Sequence, residues 1–168
     1  MGFKWSHHTS GGWTSQLDRV RRWHSNLQGI RKARSENNTM DYECDAVYIF
    51  FQNAYHLRDW IKEDVPSVSK SLESFFRQNK EMQLCRDICN GLKHFRLSNA
   101  SVDSHFAIGR EYVPTDVLSE RPHINETWFI IADGEKRDIF ELADRCMNLW
   151  EQFVATFLVS PDKRINSQ

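Results

Sequence analysis

The chain has 168 residues, 40% of them hydrophobic, and its 22 Lys and Arg against 23 Asp and Glu leave a net charge of −1. That length can bury a core of its own, and that apolar content excludes a disordered tail. The charge balance excludes a protein that binds nucleic acid as a whole-surface polycation, and 4 Pro with 7 Gly exclude a Pro/Gly-rich linker or fibrous protein.

Taken in order, Met1–Gly12 reads as a flexible lead-in. Trp13, Leu17, Val20, Trp23/His24, Leu27 and Ile30 then recur at intervals of three and four, which predicts a helix over 13–34 with Thr14 or Ser15 near its start. In the second periodic stretch, 41–64, Val47, Phe50, Phe51, Ala54, Leu57 and Ile61 share one face. Pro66 closes it and suits the first turn of a third helix carrying Val68, Leu72, Phe75 and Phe76. Glu81 begins a fourth, with an apolar stripe of Leu84, Cys85, Ile88, Cys89, Leu92 and Phe95. The pattern then turns β-branched and aromatic. Asp133-Gly134 is a tight-turn signal after Trp128-Phe129-Ile130-Ile131, and three short antiparallel strands are expected over 104–113, 127–132 and 136–139. A last helix carries Ile139/Phe140, Ala143, Cys146/Met147, Trp150, Phe153/Val154 and Phe157. The expected fold is mainly α, an antiparallel four- to five-helix bundle with a small antiparallel β meander inserted before the last helix. One domain spans 13–159, with the β insertion at about 104–139, and 160–168 form a tail.

No apolar run approaches the roughly 20 residues of a membrane-spanning helix. Met1–Trp13 lacks the apolar segment of a signal peptide, and Cys44, Cys85, Cys89 and Cys146 form no CxxC, so reduced thiols in a cytoplasmic setting are expected.

The fourth helix carries the chemistry. With Leu84 at zero on a helical wheel, its six apolar residues fall within about 140° at 100° per residue. Arg86, Asn90, His94 and Asp87 fall at about 200–300°, away from the core, with Asp87, Asn90 and His94 stacked in line. A histidine exchanges a proton near neutrality, and Asp87 or Asn90 would orient its ring. Arg86 and Lys93 supply the positive charge that a phosphodiester transition state needs, so His with Arg suffices for RNA cleavage without a metal. A solvated polar face with one exposed histidine is the plainer reading of the same pattern. Gly91 either permits a close backbone approach or, with Asn90, ends the helix early.

The run Arg86-Asp87-Ile88-Cys89-Asn90-Gly91-Leu92-Lys93-His94 on the fourth helix of a bundle resembles the polar motif of the HEPN superfamily. Members are helical bundles that usually dimerise, and many are metal-independent endoribonucleases of defence and toxin–antitoxin systems. The resemblance implies a homodimer acting on RNA without a cofactor, with Arg86, Asp87 and His94 at the centre of the site and Asn90 and Lys93 beside them. The family's Arg and His stand four to six residues apart, whereas seven residues separate Arg86 from His94. That difference keeps two alternatives open: a non-catalytic HEPN-like interaction or nucleotide-binding module, and a structural subunit of a larger complex that docks a protein partner through the β meander.

Arg58 lies inside the apolar arc of the second helix and needs a partner, because an unpaired buried charge is costly. It is expected to snorkel outward, to pair with a carboxylate such as Asp87, or to reach the site of His94. Arg19, Arg21, Arg22, Arg31, Lys32 and Arg34 form the one basic patch, in which Arg21 and Lys32 share the polar side and would be a second RNA contact. No metal site is expected. Cys85 and Cys89 fall in the apolar arc opposite His94, which prevents convergence on one ion.

Overall fold

The computed structural model describes residues 11–33, 40–93, 99–114 and 124–159. Helix α1 (Gly12–Ala33) and helix α2 (Met40–Asp64) form an antiparallel hairpin. A 3₁₀ turn at Pro66–Val68 leads into α3 (Ser69–Gln78), which is followed by α4 (Lys80–Lys93). Strands β1 (Ala107–Pro114), β2 (Ile124–Ala132) and β3 (Glu135–Asp138) make one antiparallel sheet in the order β1-β2-β3, and α5 (Ile139–Phe157) closes the fold. The fold is therefore mainly helical with a small antiparallel sheet before the last helix, as the hydrophobic periodicity predicts.

The hairpin of α1 and α2 is fixed at its open end. Asp64, the last residue of α2, accepts the backbone N–H of Trp13 at 2.5 Å. Gly12 makes this approach possible, since its φ is +57° and a Cβ there would sit 2.0 Å from Asp64 Oδ2. The α2 face of Val47, Phe50, Phe51, Ala54, Leu57 and Ile61 is buried throughout. Against it pack Leu84, Cys85 and Ile88 of α4 and Cys146 and Trp150 of α5. Trp150 Nε1 donates to the Ala54 carbonyl at 3.0 Å, so the largest buried side chain also satisfies its polar atom. Phe75 and Phe76 of α3 meet the Trp150 ring, with centroids 5.0 and 5.8 Å away.

The sheet obeys the two-residue period of a strand. Trp128, Ile130 and Ala132 of β2 face the core, while Ile131 between them is 42% exposed. Trp128 Nε1 donates to Oε2 of the buried Glu43 on α2 at 2.9 Å, which joins sheet to bundle. Asp133 (φ 55°) and Gly134 (φ 71°) both lie in the left-handed region, the pattern of a two-residue type I′ hairpin turn between β2 and β3. Asp138 then caps α5, its Oδ1 accepting the N–H of Phe140 at 2.8 Å and of Glu141 at 2.9 Å.

Two sequence expectations change, and one open alternative is decided. Leu92 is 43% exposed and leaves the apolar stripe of α4. Trp23 is half-buried, whereas the fully enclosed tryptophans are Trp128 and Trp150. The helix does not break at Asn90-Gly91 but runs on to Lys93. Gly91 lines a shallow groove of about 220 Å³ beneath Phe106 and Ile108. Among the described residues no helix is long and apolar enough to cross a membrane.

Candidate functional site

A cavity of about 500 Å³ opens between α2, α3 and α4. Tyr55 and Arg58 come from α2, Glu73, Phe76 and Arg77 from α3, Gln83 and Arg86 from α4, and Ser101 from the segment that precedes β1. Tyr55 and Arg58 are three residues apart and so share a helix face. Phe76 forms the apolar floor, with the Tyr55 ring edge-on at 5.8 Å and the Arg58 guanidinium at 5.8 Å from its centroid. Gln83 Nε2 donates to the carbonyl of Arg77 at 2.7 Å and ties α4 to the end of α3.

Three guanidiniums, those of Arg58, Arg77 and Arg86, therefore line one cavity with one carboxylate, Glu73. Glu73 is already engaged by Lys62 Nζ at 3.5 Å. Arg58 leans on the neighbouring Asp59 at 3.3 Å, and not on Asp87. Among the described residues Arg86 has no carboxylate partner, and its buried Nε has no hydrogen-bond partner. Ser101 Oγ, in the same wall, is likewise buried and unpartnered. Buried polar groups without partners are uncommon, and two in one wall mark it as unusual. Burial pushes the Tyr55 hydroxyl above its ordinary value of 10.0, while Arg58 and Arg86 pull it back. Tyr55 thus stays a neutral donor at neutral pH.

Asp87 corrects the sequence reading most sharply. It is fully buried, not solvated. Its Oδ1 accepts the N–H of Ser101 and its Oδ2 that of Val102, each at 2.7 Å. The wheel describes α4 alone, whereas the returning chain at 99–102 covers the edge of the helix on which Asp87 stands. Each carboxylate oxygen accepts one backbone N–H of this strap, so Asp87 ties the strap to α4 beside the cavity. Asn90 is half-buried on the next turn. Lys93 ends α4, but its side chain and all of His94 lie outside the described residues.

Part of the positive charge of α1 is paired from α5. Arg21 makes a two-pronged pair with Glu151, Nε to Oε1 at 2.7 Å and the second amino group to Oε2 at 2.8 Å, and also reaches Asp18 at 3.2 Å. These pairs raise the affinity of the Arg21 guanidinium for its proton, the hydrogen bond to Glu151 contributing most. Asp144 receives His24 Nε2 at 2.7 Å, Gln28 Nε2 at 2.5 Å and Arg31 at 3.6 Å. Arg21 is therefore paired with Glu151 and Asp18 while remaining exposed, and the Lys32 side chain lies outside the described residues.

Cys85, Cys89 and Cys146 are buried and unoxidised, in the core as the wheel places them. Burial and the adjacent Cys146 push the Cys85 thiol well above its ordinary range, which makes it inert. The described residues contain no group of three or more metal-ligating side chains.

Sequence reasoning does not single out Tyr55, Phe76, Arg77 or Ser101. The available signal was Tyr55 and Arg58 on one face. Their convergence with Arg77 and Arg86 is a property of three packed helices and has no local pattern. No family model, curated protein or solved structure matches the chain.

Proposed function

We propose that the protein is a HEPN-like module that binds a phosphorylated nucleotide or RNA ligand in the α2–α3–α4 cavity, with Arg86 as the anchoring cation. One observation carries this reading: three arginines line one cavity, and that of the HEPN-like motif, Arg86, has a buried Nε with no hydrogen-bond partner among the described residues. Guanidinium forks match phosphate oxygens with two parallel hydrogen bonds, and a cavity of about 500 Å³ is the size of a small-ligand site. The committed carboxylate of Asp87 favours binding over acid–base chemistry at this point of the motif.

Fluorescence anisotropy of labelled mononucleotides and short RNAs tests the proposal. A charged hydrogen-bonding group contributes about 1.5–3 kcal/mol, so Arg86→Ala is expected to weaken binding roughly 10- to 100-fold. Equal binding by wild type and Arg86→Ala would remove the anchor and the proposal with it.

The metal-independent endoribonuclease reading rests on the same Arg86 and adds one requirement, that His94 exchange a proton with a substrate whose phosphate Arg86 holds. RNA incubated with the protein in EDTA should then be cut, and His94→Ala should abolish cutting while ligand binding persists. Intact RNA in EDTA leaves the binding module. The same reading carries a homodimer that brings two copies of α4 together in a cytoplasmic setting. Sedimentation at a dimer mass that Arg86→Ala preserves would support it, and a monomer at micromolar concentration would count against it.

A further inference from the structure

We infer that the cavity takes a terminal phosphate, the phosphomonoester end of a nucleotide, in preference to an internal phosphodiester. This deepens the phosphate-binding reading and rests on it. The charge count comes first. Arg58, Arg77 and Arg86 line the cavity, and its single carboxylate, Glu73, is offset by Lys62 from outside. Asp59 takes up part of Arg58. The surplus exceeds the single charge of a phosphodiester and matches a phosphomonoester, which carries about −1.5 to −2 near pH 7.

Geometry points the same way. A terminal phosphate offers three acceptor oxygens to the three guanidiniums, whereas a diester offers two and must lead both of its ester arms out of the cavity. Walls from α2, α3, α4 and the strap at Ser101 surround the arginines. The Tyr55 and Phe76 rings, edge-to-face at 5.8 Å, give the cavity an apolar side for the sugar or base that the phosphate carries.

The preference has a pH signature. The second ionisation of a phosphomonoester falls at about pH 6, whereas a diester stays singly charged. Arginines hold their charge across that range, and Tyr55 is neutral there. Glu73 and Gln83 complete the polar lining. On α4, Asp87 faces the strap and not the ligand. His56 stands beside Tyr55, with Nε2 3.8 Å from Cys89 Sγ. His56→Gln separates its contribution from that of the phosphate.

The test uses the full chain and five probes: inorganic phosphate, a nucleoside 5′-monophosphate, a dinucleoside monophosphate with only a diester, and one ribo-oligonucleotide with and without a 5′-phosphate. The expected result is that the 5′-phosphorylated oligonucleotide binds at least about 10-fold tighter than its 5′-hydroxyl twin at about pH 8, with the difference shrinking below about pH 6. His56→Gln should keep that profile, and Arg77→Ala, an exposed change, should reduce the difference. Equal binding of the two oligonucleotides with a flat pH profile overturns the terminal-phosphate inference while phosphate binding stands. Inorganic phosphate binding as tightly as the nucleotide overturns the nucleotide half of it. A failure of every probe to bind overturns the phosphate-binding reading itself.

Discussion

Replacing Asp87 by Asn separates a wall-building carboxylate from a catalytic one. The shape is kept and the charge removed. Asp87 is fully buried and spends one oxygen on the N–H of Ser101 and the other on that of Val102, each at 2.7 Å. Asn can still accept from one amide, but its NH₂ must then face the other N–H, donor against donor. One charge-assisted bond, at about 1.5–3 kcal/mol, is lost, and a buried N–H is left unpaired at a further 1–3 kcal/mol. Their sum centres on about 4 kcal/mol, a large fraction of the stability of an ordinary domain. In a chain of this length each kcal/mol moves Tm by about 2–4 °C, so Asp87→Asn is expected to melt roughly 8–16 °C lower. Urea unfolding and amide exchange at Ser101 and Val102 read the effect directly, and those two amides should lose protection first. An Asp87→Asn protein as stable as wild type, with Ser101 and Val102 still protected, would refute the strap. If it also lost ligand binding or RNA cleavage, the orienting role suggested by the motif would be restored.

Other substitutions test the frame around the site. Trp150→Phe keeps an aromatic ring but loses the indole bond to the Ala54 carbonyl, which keeps its helical partner, and should cost about 0.5–1.5 kcal/mol in urea unfolding before any packing loss. Arg21→Ala breaks the pair with Glu151, whose partners are 47% and 42% exposed, so it should cost no more than about 1 kcal/mol and leave nucleotide affinity unchanged. A marked loss of affinity in that variant would return α1 to the binding surface. The exposed Asp103 carboxyl is held below its ordinary value of 3.8, chiefly by the N–H of Asp133 and then by that of His105. Its folded-state pKa is depressed, so its stabilisation is present above the ordinary carboxylate range and is lost as pH falls through the lowered value. Asp103→Asn should flatten the acid limb of a stability–pH curve below about pH 4, and an unchanged limb would show that this clasp carries no linkage.

The elements that were legible in the sequence are those whose signal repeats over several turns or is stereochemically forced. The α1 and α2 periodicities span many turns and predict 13–34 and 41–64, against Gly12–Ala33 and Met40–Asp64 in the structure. Asp133-Gly134 marks its hairpin because few residues other than glycine, asparagine and aspartate enter the left-handed region without cost. Arg86 and Arg58, both singled out by the sequence, line the same cavity. The partners of Arg21 and Asp87 were not legible, because they come from afar: Glu151 reaches Arg21 across 130 residues, and Ser101 and Val102 reach Asp87 across 14 and 15. A helical wheel sees one helix in isolation. It therefore assigns Asp87 to solvent and Leu92 to the core, and the chain laid over one edge of α4 reverses the first assignment.

Arg86 and Asp87 are adjacent in the motif but about 100° apart on the helix, which is enough to give them different surroundings. Arg86 opens into the cavity, and Asp87 turns under the strap. Asp87 holds Ser101 at the rim where Arg86 works, so the pair acts as one unit in which one residue carries the charge and its neighbour shapes the wall. The net charge of −1 takes on a more specific meaning in that light. Arg21, His24 and Arg31 are paired across α1 and α5, Lys80 with Asp133, and Lys136 with Glu111. The cavity of α2, α3 and α4 breaks that rule, with three guanidiniums around a single carboxylate that Lys62 already occupies. On the proposed reading, three guanidiniums beside one occupied carboxylate hold a small anion locally. Its affinity should therefore depend on salt as a site with two or three phosphate contacts does, far less steeply than a polycation tracking a nucleic-acid backbone.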